Sequence, residues 1–515
     1  MVNAVDFNGR PLHFIGVGGI GMSALAYILA RRGLAVSGSD LRLTHITQRL
    51  QDEGVHIFWS QVASNLEFFQ REAAPCRDLV TASGAATSAT PVSEKSSGRS
   101  RAERSLKSLL PPQVVCSTAI HPENPEYQAA IELGCPILHR SDVLAALMAE
   151  YRGIAIAGTH GKTTTSSMIG YMLMQAGLDP TIVVGGEVNA WGGNAWAGTG
   201  EWLVAEADES DGSLVKLQTE VGVVTNIELD HPDHYRSLDE VVDTFQVFAQ
   251  QCQVLIGSID CVTVRDRLRP TITYSLDPAS EADYVADAIH YTGTGTTAQV
   301  WERGQLLGTL QLKLLGRHNL SNALAAVAVG RLLQLDFVTI AEALSRFEGA
   351  RRRFEQRGEY GGILFVDDYA HHPSEVEVTL AAAKLQTIGS GAVRKRVVAI
   401  FQPHRYSRTQ TFLQEFANAF GSADVVLTTD IYSAGELDPG TITGRQFAEA
   451  VARNHPQVVY EPTLATVAER LKHLLQPGDI ALFLGAGNLN QLIPELMSFY
   501  QTQASETAEP LCIQA

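Results

Sequence analysis

Apolar and polar positions repeat along this chain in a short grammar of buried strand, glycine turn and helix. The run Leu12–Val17 predicts a strand, Gly16–Gly21 a turn, and Met22–Arg32 a helix closed by Gly33. Leu34–Val36 predicts the next strand, leading into Gly38–Asp40. The unit returns at Gly153–Gly177, with a strand at Ile154–Ala157, a glycine loop, and a helix from about Thr163 to Gln175. Further strands are predicted at Trp202–Ala205 and Val221–Val224. A third alternating region begins near Phe365, with strands at Val397–Phe401, Val425–Thr428 and Ile480–Leu484. Strands that alternate with helices build parallel sheets, so the pattern predicts three α/β domains with boundaries near 148 and 346.

Two stretches break the pattern. From about 72 to 112 the chain is rich in Ser, Ala and Arg and has little apolar periodicity, which predicts an insertion or loop in the first domain. Its Arg99, Arg101, Arg104 and Lys107 read more readily as a solvated loop than as a dock for an acidic partner. The tail Gln501–Ala515 is expected to fray.

Bulk chemistry narrows the class. The 515 residues are 45% hydrophobic and 18% charged, a globular composition with room for three cores. A net charge of −17 argues against a nucleic-acid binder, which carries a basic face, but leaves room for phosphate at a local site. The first residues lack a signal peptide, and no apolar run is long enough for a membrane span, so a cytoplasmic protein is expected. Cys76, Cys116, Cys135, Cys252, Cys261 and Cys512 are scattered, with no C-x-x-C pair, and read as reduced thiols.

Candidate chemistry concentrates where strands end. Gly158-Thr159-His160-Gly161-Lys162-Thr163-Thr164 follows an apolar strand and opens a helix, the context of a phosphate-binding loop. Lys162 would reach the β/γ-phosphates and the Thr163 hydroxyl would hold Mg²⁺. The spacing is shorter than the strict motif, since Ala157 stands near the place of its first glycine. After the next strand comes Glu206-Ala207-Asp208-Glu209-Ser210-Asp211. There Glu206 is a candidate hard-oxygen ligand, with a solvated acidic turn as the plain alternative. His231, after a third strand, stands evenly between ligand and structural residue. His318 and Asn319 open an Ala-rich helix, where a helix cap is favoured over contact with a nucleotide base.

At the other end, Gly16, Gly18 and Gly21 form G-x-G-x-x-G after a strand, with Asp40 about twenty residues on. That is a dinucleotide fingerprint, and alone it would favour NAD. The phosphate loop in the following domain disfavours a dehydrogenase.

These motifs, with Thr-Asn-Ile-Glu-x-Asp-His, Gly-x-His-Asn-x-x-Asn-Ala, Arg-Arg-Phe-Glu, Asp-Asp-Tyr-Ala-His-His-Pro and Phe-Gln-Pro-His-Arg-Tyr-Ser-Arg-Thr, stand in the order seen in Mur ligases. The chain resembles that family over nearly its whole length, and His13–Ser23 resembles the turn of its alanine-adding branch. That branch lacks the carbamylated lysine found in several members, and no lysine occurs here between Lys216 and Lys313.

The resemblance implies a Rossmann-like UDP-sugar-binding domain over 1–148, a P-loop ATPase domain over 149–346, and a Rossmann-like closing domain over 347–515. It implies ATP with Mg²⁺ (Mn²⁺ substituting), UDP-N-acetylmuramate and L-alanine as ligands, no nucleic acid or membrane partner, and a monomer or weak homodimer. Gly158, Thr159, His160, Gly161, Lys162, Thr163, Thr164, His318, Asn319, Arg353 and Asp368 are implied at ATP. Thr163, Glu206 and His231 are implied at metal. Gly18, Gly19, Gly21, Ser39, Ser117 and Thr118 are implied at the uridine diphosphate, and Tyr369, His404, Arg405 and Arg408 at the amino acid. Lys162, His231 and Arg353 are the implied catalytic groups. A peptide-recycling ligase on the same UDP-sugar is the neighbouring alternative, and a non-catalytic nucleotide sensor a more distant one.

Overall fold

The computed structural model describes residues 5–69, 110–387 and 396–508. The insertion expected at 72–112 lies outside the described residues except for its last three positions, and Cys76 and Cys512 lie outside them too. The four described cysteines, Cys116, Cys135, Cys252 and Cys261, are free thiols.

Three sheets organise the chain. The first contains β1 (Leu12–Ile15), β2 (Val36–Ser39), β3 (His56–Phe58), β4 (Gln113–Cys116) and β5 (Ile137–His139) in the order β3-β2-β1-β4-β5, all parallel. The second contains β6 (Arg152–Ala157), β7 (Thr181–Val188), β8 (Gly193–Trp196), β9 (Trp202–Glu206), β10 (Thr219–Val224), β11 (Cys252–Ser258), β12 (Ile272–Ser275), β13 (Tyr284–Thr292), β14 (Gly295–Glu302) and β15 (Gln305–Leu312). Its order is β15-β14-β13-β12-β11-β10-β6-β9-β7-β8. The third contains β16 (Glu355–Tyr360), β17 (Ile363–Asp368), β18 (Val397–Phe401), β19 (Val425–Thr428), β20 (Val458–Tyr460) and β21 (Ile480–Leu484), ordered β16-β17-β21-β18-β19-β20. Two compact units result: residues 1–152 with 181–185 and 193–203, and residues 153–180 with 186–192 and 204–515.

Continuous apolar runs make the best strands here because both faces of a parallel sheet are covered. In the third sheet, Val397, Ala399 and Phe401 face one core while Val398 and Ile400 face another, and all five are fully buried. Those strands fall where the pattern placed them.

Elsewhere the structure corrects the expectation. The second strand is Val36–Ser39, not Leu34–Val36. Leu34 donates its N–H to Leu29 O and completes the helix end, while Ser37 and Ser39 are fully buried polar strand residues. The first helix begins at Ile20, inside the glycine turn. The last helix runs through Ala508, beyond the point where fraying was expected. The antiparallel strands β14 and β15, and the antiparallel pair β16–β17, had no counterpart in the pattern reading.

Candidate functional site

In the first unit, β1 and β4 are neighbours at the point where strand order reverses, and β1, β2 and β4 end together there. Such a switch point opens a crevice beyond the carboxyl ends of the strands. Gly18 and Gly19 stand in the turn after β1, and Gly21 in the first helical turn. Ser117 and Thr118 follow β4, half-buried and exposed respectively. The turn is braced from β2: Gly16 and Val17 both donate N–H groups to Ser39 O at 2.9 Å, and Gly18 donates to Asp40 Oδ2 at 2.8 Å.

Ser39 is not open to a ligand through its side chain. Its hydroxyl donates to Glu126 Oε2 at 2.5 Å, and Glu126 Oε1 is 2.8 Å from His13 Nε2 and 2.7 Å from Asn65 Nδ2. His13, Ser39 and Glu126 are all fully buried. This network sits directly beneath the glycine turn, and no motif marked Glu126 or Asn65.

In the second unit, β6 leads into the loop 158–161 and the helix Lys162–Gln175. Thr165 N–H makes the first intrahelical bond, to Gly161 O, so the three preceding N–H groups face out of the helix end. Gly158 has φ +137°, and a Cβ there would stand 2.0 Å from Thr225 Oγ1. Glycine is required because the loop is laced to the segment after β10. His160 N–H donates to Asn226 Oδ1 at 2.8 Å, Thr225 Oγ1 donates to His160 O at 2.6 Å, and Thr159 Oγ1 accepts from Glu228 N–H at 2.9 Å.

Lys162 curls back over the loop. Its ammonium donates to Gly158 O at 2.7 Å and to Glu209 at 2.8 Å. Glu209 is only 1% exposed, and burial pushes its carboxyl up to about 7 even against the opposing pull of Lys162. Glu209 is thus the partner that the acidic motif concealed, three residues beyond Glu206. Glu206 takes a different role, accepting the Thr163 hydroxyl at 2.9 and 3.1 Å. A hydroxyl and a carboxylate facing each other are the hard oxygens that Mg²⁺ prefers, so this pair fits such an ion. His231 lies 3.8 Å from Glu209 and 3.7 Å from Asp230, in the left-handed region at φ +53°. Burial lowers its pKa, and the positive Arg408 and Lys162 reinforce this against Asp230.

Beside the loop opens a cleft lined by His160, Asn226, His318, Asn319, Arg353 and Asp368 among others, with about 970 Å³ of empty space, its open mouth included. His318 and Asn319 wall the cleft and do not cap their helix, contrary to expectation. Gly316 is the N-cap, no side chain caps it, and Asn319 Nδ2 donates to Leu315 O at 2.8 Å. Burial pulls His318 down to about 4. Asp368 accepts the N–H groups of Phe354 and Ala370, both at 2.7 Å, and burial raises it to about 6. Arg353 lies 3.8 Å from Glu375 and 5.3 Å above the Tyr369 ring.

The segment 228–233 is tied to the third sheet's loops and helices. Ser374 Oγ donates to Glu228 at 2.7 Å, His372 Nε2 lies 3.2 Å from Leu229 O, Arg408 holds Asp230 at 2.8 Å and Arg405 holds Asp233 at 2.9 Å. Tyr369, His371 and His404 form a train of edge-on rings that ends at Arg408, 3.4 Å from His404 Nδ1. Burial, together with His371 and Arg408, holds His404 at about 3. Tyr369, His404 and Arg408 are therefore brought together, while the Arg405 side chain turns to Asp233 and Glu436.

Family models match this chain in three consecutive pieces: the Mur ligase family catalytic domain at 11–152, the Mur ligase middle domain at 156–330, and the Mur ligase glutamate ligase domain at 352–487. The chain belongs to the Mur ligase family. Within that family it is 62% identical over 508 residues to the UDP-N-acetylmuramate–L-alanine ligase of Nostoc punctiforme, covering 99% of this chain and 100% of that one. It is 60% identical over 511 residues to the enzyme of the same name from Crocosphaera subtropica, covering 98% of each. Among solved structures, a UDP-N-acetylmuramate–alanine ligase from Thermotoga maritima superposes with a TM-score of 0.75 at 25% identity, covering 96% of this chain and 100% of that one. A murein peptide ligase from Psychrobacter arcticus shares the fold at TM-score 0.65 and 21% identity, covering 96% of this chain and 99% of that one. Mur ligases use ATP with a divalent metal, and no described helix of this member is long and apolar enough to cross a membrane.

Proposed function

We propose that this Mur ligase joins L-alanine to the carboxylate of UDP-N-acetylmuramate, at the expense of ATP, in the making of peptidoglycan precursors. The observation that carries the reading is the loop of Lys162 and Thr163 beside Glu206, in a chain that matches alanine ligases end to end. It would work in the cytoplasm as a monomer or weak homodimer, with domains at 1–148, 149–346 and 347–515.

A carboxylate is a poor electrophile, and its oxygen is a poor leaving group. In the first step a carboxylate oxygen attacks the γ-phosphorus of ATP, the β–γ bond breaks, and ADP leaves, giving an acyl phosphate. In the second the neutral amine of alanine attacks the acyl carbon. The tetrahedral intermediate collapses with loss of inorganic phosphate, and the amine proton is released. Phosphoryl transfer of this kind depends on positioning and on neutralising charge.

The N–H groups of residues 162–164 and the Lys162 ammonium would cradle the phosphates, together with Gly158, Thr159, His160 and Gly161. For this, Lys162 exchanges part of its bond to Glu209 for phosphate oxygens. His318, Asn319 and Asp368 would hold the nucleoside in the cleft, and Arg353 would reach the phosphates from the third domain. Thr163, Glu206 and His231 would hold Mg²⁺ (Mn²⁺ substituting), which supplies charge neutralisation when bound. Gly18, Gly19, Gly21, Ser117 and Thr118 would receive the uridine diphosphate at a helix N-terminus, and Ser39 would brace that turn through Glu126 and its own carbonyl. Tyr369, His404, Arg405 and Arg408 would surround alanine. Both arginines are paired, Arg408 with the buried Asp230 and Arg405 with Asp233 and Glu436, and Arg405, whose side chain is 33% exposed, is the one that would exchange a partner for alanine's carboxylate.

ADP release measured with UDP-N-acetylmuramate and each small amino acid in turn tests the reading. Release dependent on both the UDP-sugar and alanine is expected. Release with a tripeptide and none with alanine would instead support the peptide-recycling reading, for which the fold shared with the Psychrobacter enzyme speaks. Hydroxylamine added without alanine should trap an activated carboxylate, and trapping of an adenylate would overturn the acyl-phosphate route.

A further inference from the structure

We propose that His160, Glu228 and His372 form a binding site for a transition-metal dication of the zinc class, separate from the Thr163–Glu206 pair. One ligand atom from each lies within 4.8 Å of the others. His160 Nε2 is 3.4 Å from Glu228 Oε2, and His372 Nδ1 is 3.9 Å from the same oxygen. Ligands at about 2.0–2.1 Å from a tetrahedral zinc ion stand roughly 3.3 Å apart. Of the three edges these ligands share, His160–Glu228 is nearly in place, His372–Glu228 needs a shift of roughly half an ångström, and His160–His372, at most 4.8 Å, closes by up to about 1.5 Å.

The second nitrogen of each ring strengthens the case. A metal-bound imidazole donates its other N–H to a carboxylate or a carbonyl, which fixes tautomer and orientation. His160 Nδ1 lies 3.3 Å from Glu375 Oε1, and His372 Nε2 lies 3.2 Å from Leu229 O. Both rings are thus held by an outer acceptor, with the other nitrogen on the side of Glu228. His160 Nε2 is buried and faces Glu228 Oε2, so an ion there takes the place of the proton between them, and His372 Nδ1 accepts the Ser374 N–H at 3.4 Å as the cap of its helix, a long bond that the ion would replace. Glu228 is steadied by the Ser374 hydroxyl at 2.7 Å.

Two imidazoles and one carboxylate suit zinc, cobalt or nickel and not magnesium, which takes oxygen ligands. His160 and Glu228 line the nucleotide cleft, so the fourth coordination position opens onto it. His160 belongs to the phosphate loop, and His372 caps the helix Pro373–Leu385 that follows β17. An ion held between them would fasten that helix to the loop.

Cobalt(II) is the probe, added to the full-length chain without nucleotide, so the outcome is independent of whether the ligase reading holds. Tetrahedral cobalt on nitrogen and oxygen absorbs strongly in the visible, whereas octahedral cobalt on oxygen ligands absorbs weakly. The expected result is a single equivalent of strong absorption, displaced by zinc, lost in Glu228→Gln and in His372→Asn, and retained in Glu206→Gln. Glu228→Gln keeps an acceptor for Ser374, and although loss of its charge lowers the melting temperature, its circular-dichroism spectrum at room temperature should overlay that of the parent, which separates loss of the ion from loss of the fold. Absence of the strong band in the parent, its survival in either of the first two variants, or its loss in Glu206→Gln overturns the proposal.

Discussion

Arg408 places both its Nε and a terminal nitrogen 2.8 Å from one oxygen of Asp230, the residue immediately before His231. Both side chains are at most 5% exposed. The arginine comes from the short helix after β18 and the aspartate from the segment after β10, so a buried ion pair joins a proposed alanine-site residue to the neighbour of a proposed metal ligand. Burial alone would raise the Asp230 carboxyl, but Arg408 and the nearby histidines hold it well below the usual range.

Replacing Asp230 with Asn keeps the shape and removes the charge, leaving Arg408 buried and uncompensated. Breaking a buried pair in this way costs about 3–5 kcal/mol. A lowered melting temperature is expected, together with a raised KM for alanine. Unchanged melting would mean that water reaches the pair.

Lys162→Ala is expected to cut turnover by about 10²–10³-fold or more, the scale of losing one charge-stabilising donor. Binding of the UDP-sugar should survive, as measured by calorimetry. Near-normal turnover would remove the phosphate-loop assignment.

Gly158→Ala combines a left-handed backbone at φ +137° with a Cβ 2.0 Å from Thr225 Oγ1. The strain alone is worth about 1–3 kcal/mol, and the clash forces the loop away from the segment after β10. Weakened ATP affinity and lower thermal stability should appear together, whereas Ala at Gly177, where nothing lies within 4 Å, should disturb only the helix end.

The His160–Glu228–Glu375 cluster sets a pH window. Burial opposes the charge on His160, but the two carboxylates raise its pKa from 6.5 to about 10. A raised histidine stabilises the fold fully below its unfolded pKa and loses that contribution as pH climbs through its folded value. Glu228, lowered from 4.5 to about 2 by His160, Ser374 and His372 against burial, contributes above its unfolded value and loses that as pH falls through about 2. The cluster is therefore at full strength between 4.5 and 6.5 and weakens on either side. The difference in melting temperature between the parent and His160→Asn should shrink steadily from about pH 6.5 toward pH 10. A difference that grows over that range would contradict the assignment.

How much of this was legible in the chain depended on how local the cause was. Val397–Phe401, Val425–Thr428 and Ile480–Leu484 were placed at their observed ends because a doubly covered strand is apolar at every position. The second strand was misplaced because its buried residues are Ser37 and Ser39, whose polarity is satisfied by His13 and Glu126 from distant parts of the chain. Glu209 was passed over beside Glu206 because four acidic residues in six give no hint of which one faces the lysine. Helix caps failed as a guide at His318, where the cap is Gly316 and the histidine turns into a cleft.

Spacing along the chain determined the glycine turns, the phosphate loop and the order of motifs, because each is set by neighbours within a few residues and by the backbone shapes that glycine permits. Partnership was decided by tertiary structure alone: Lys162 with Glu209, Ser39 with Glu126, and Asp230 with Arg408. Those bonds join residues 47, 87 and 178 positions apart. At such separations the chain carries no local preference for a partner, and the packing of sheets and helices selects which charge meets which.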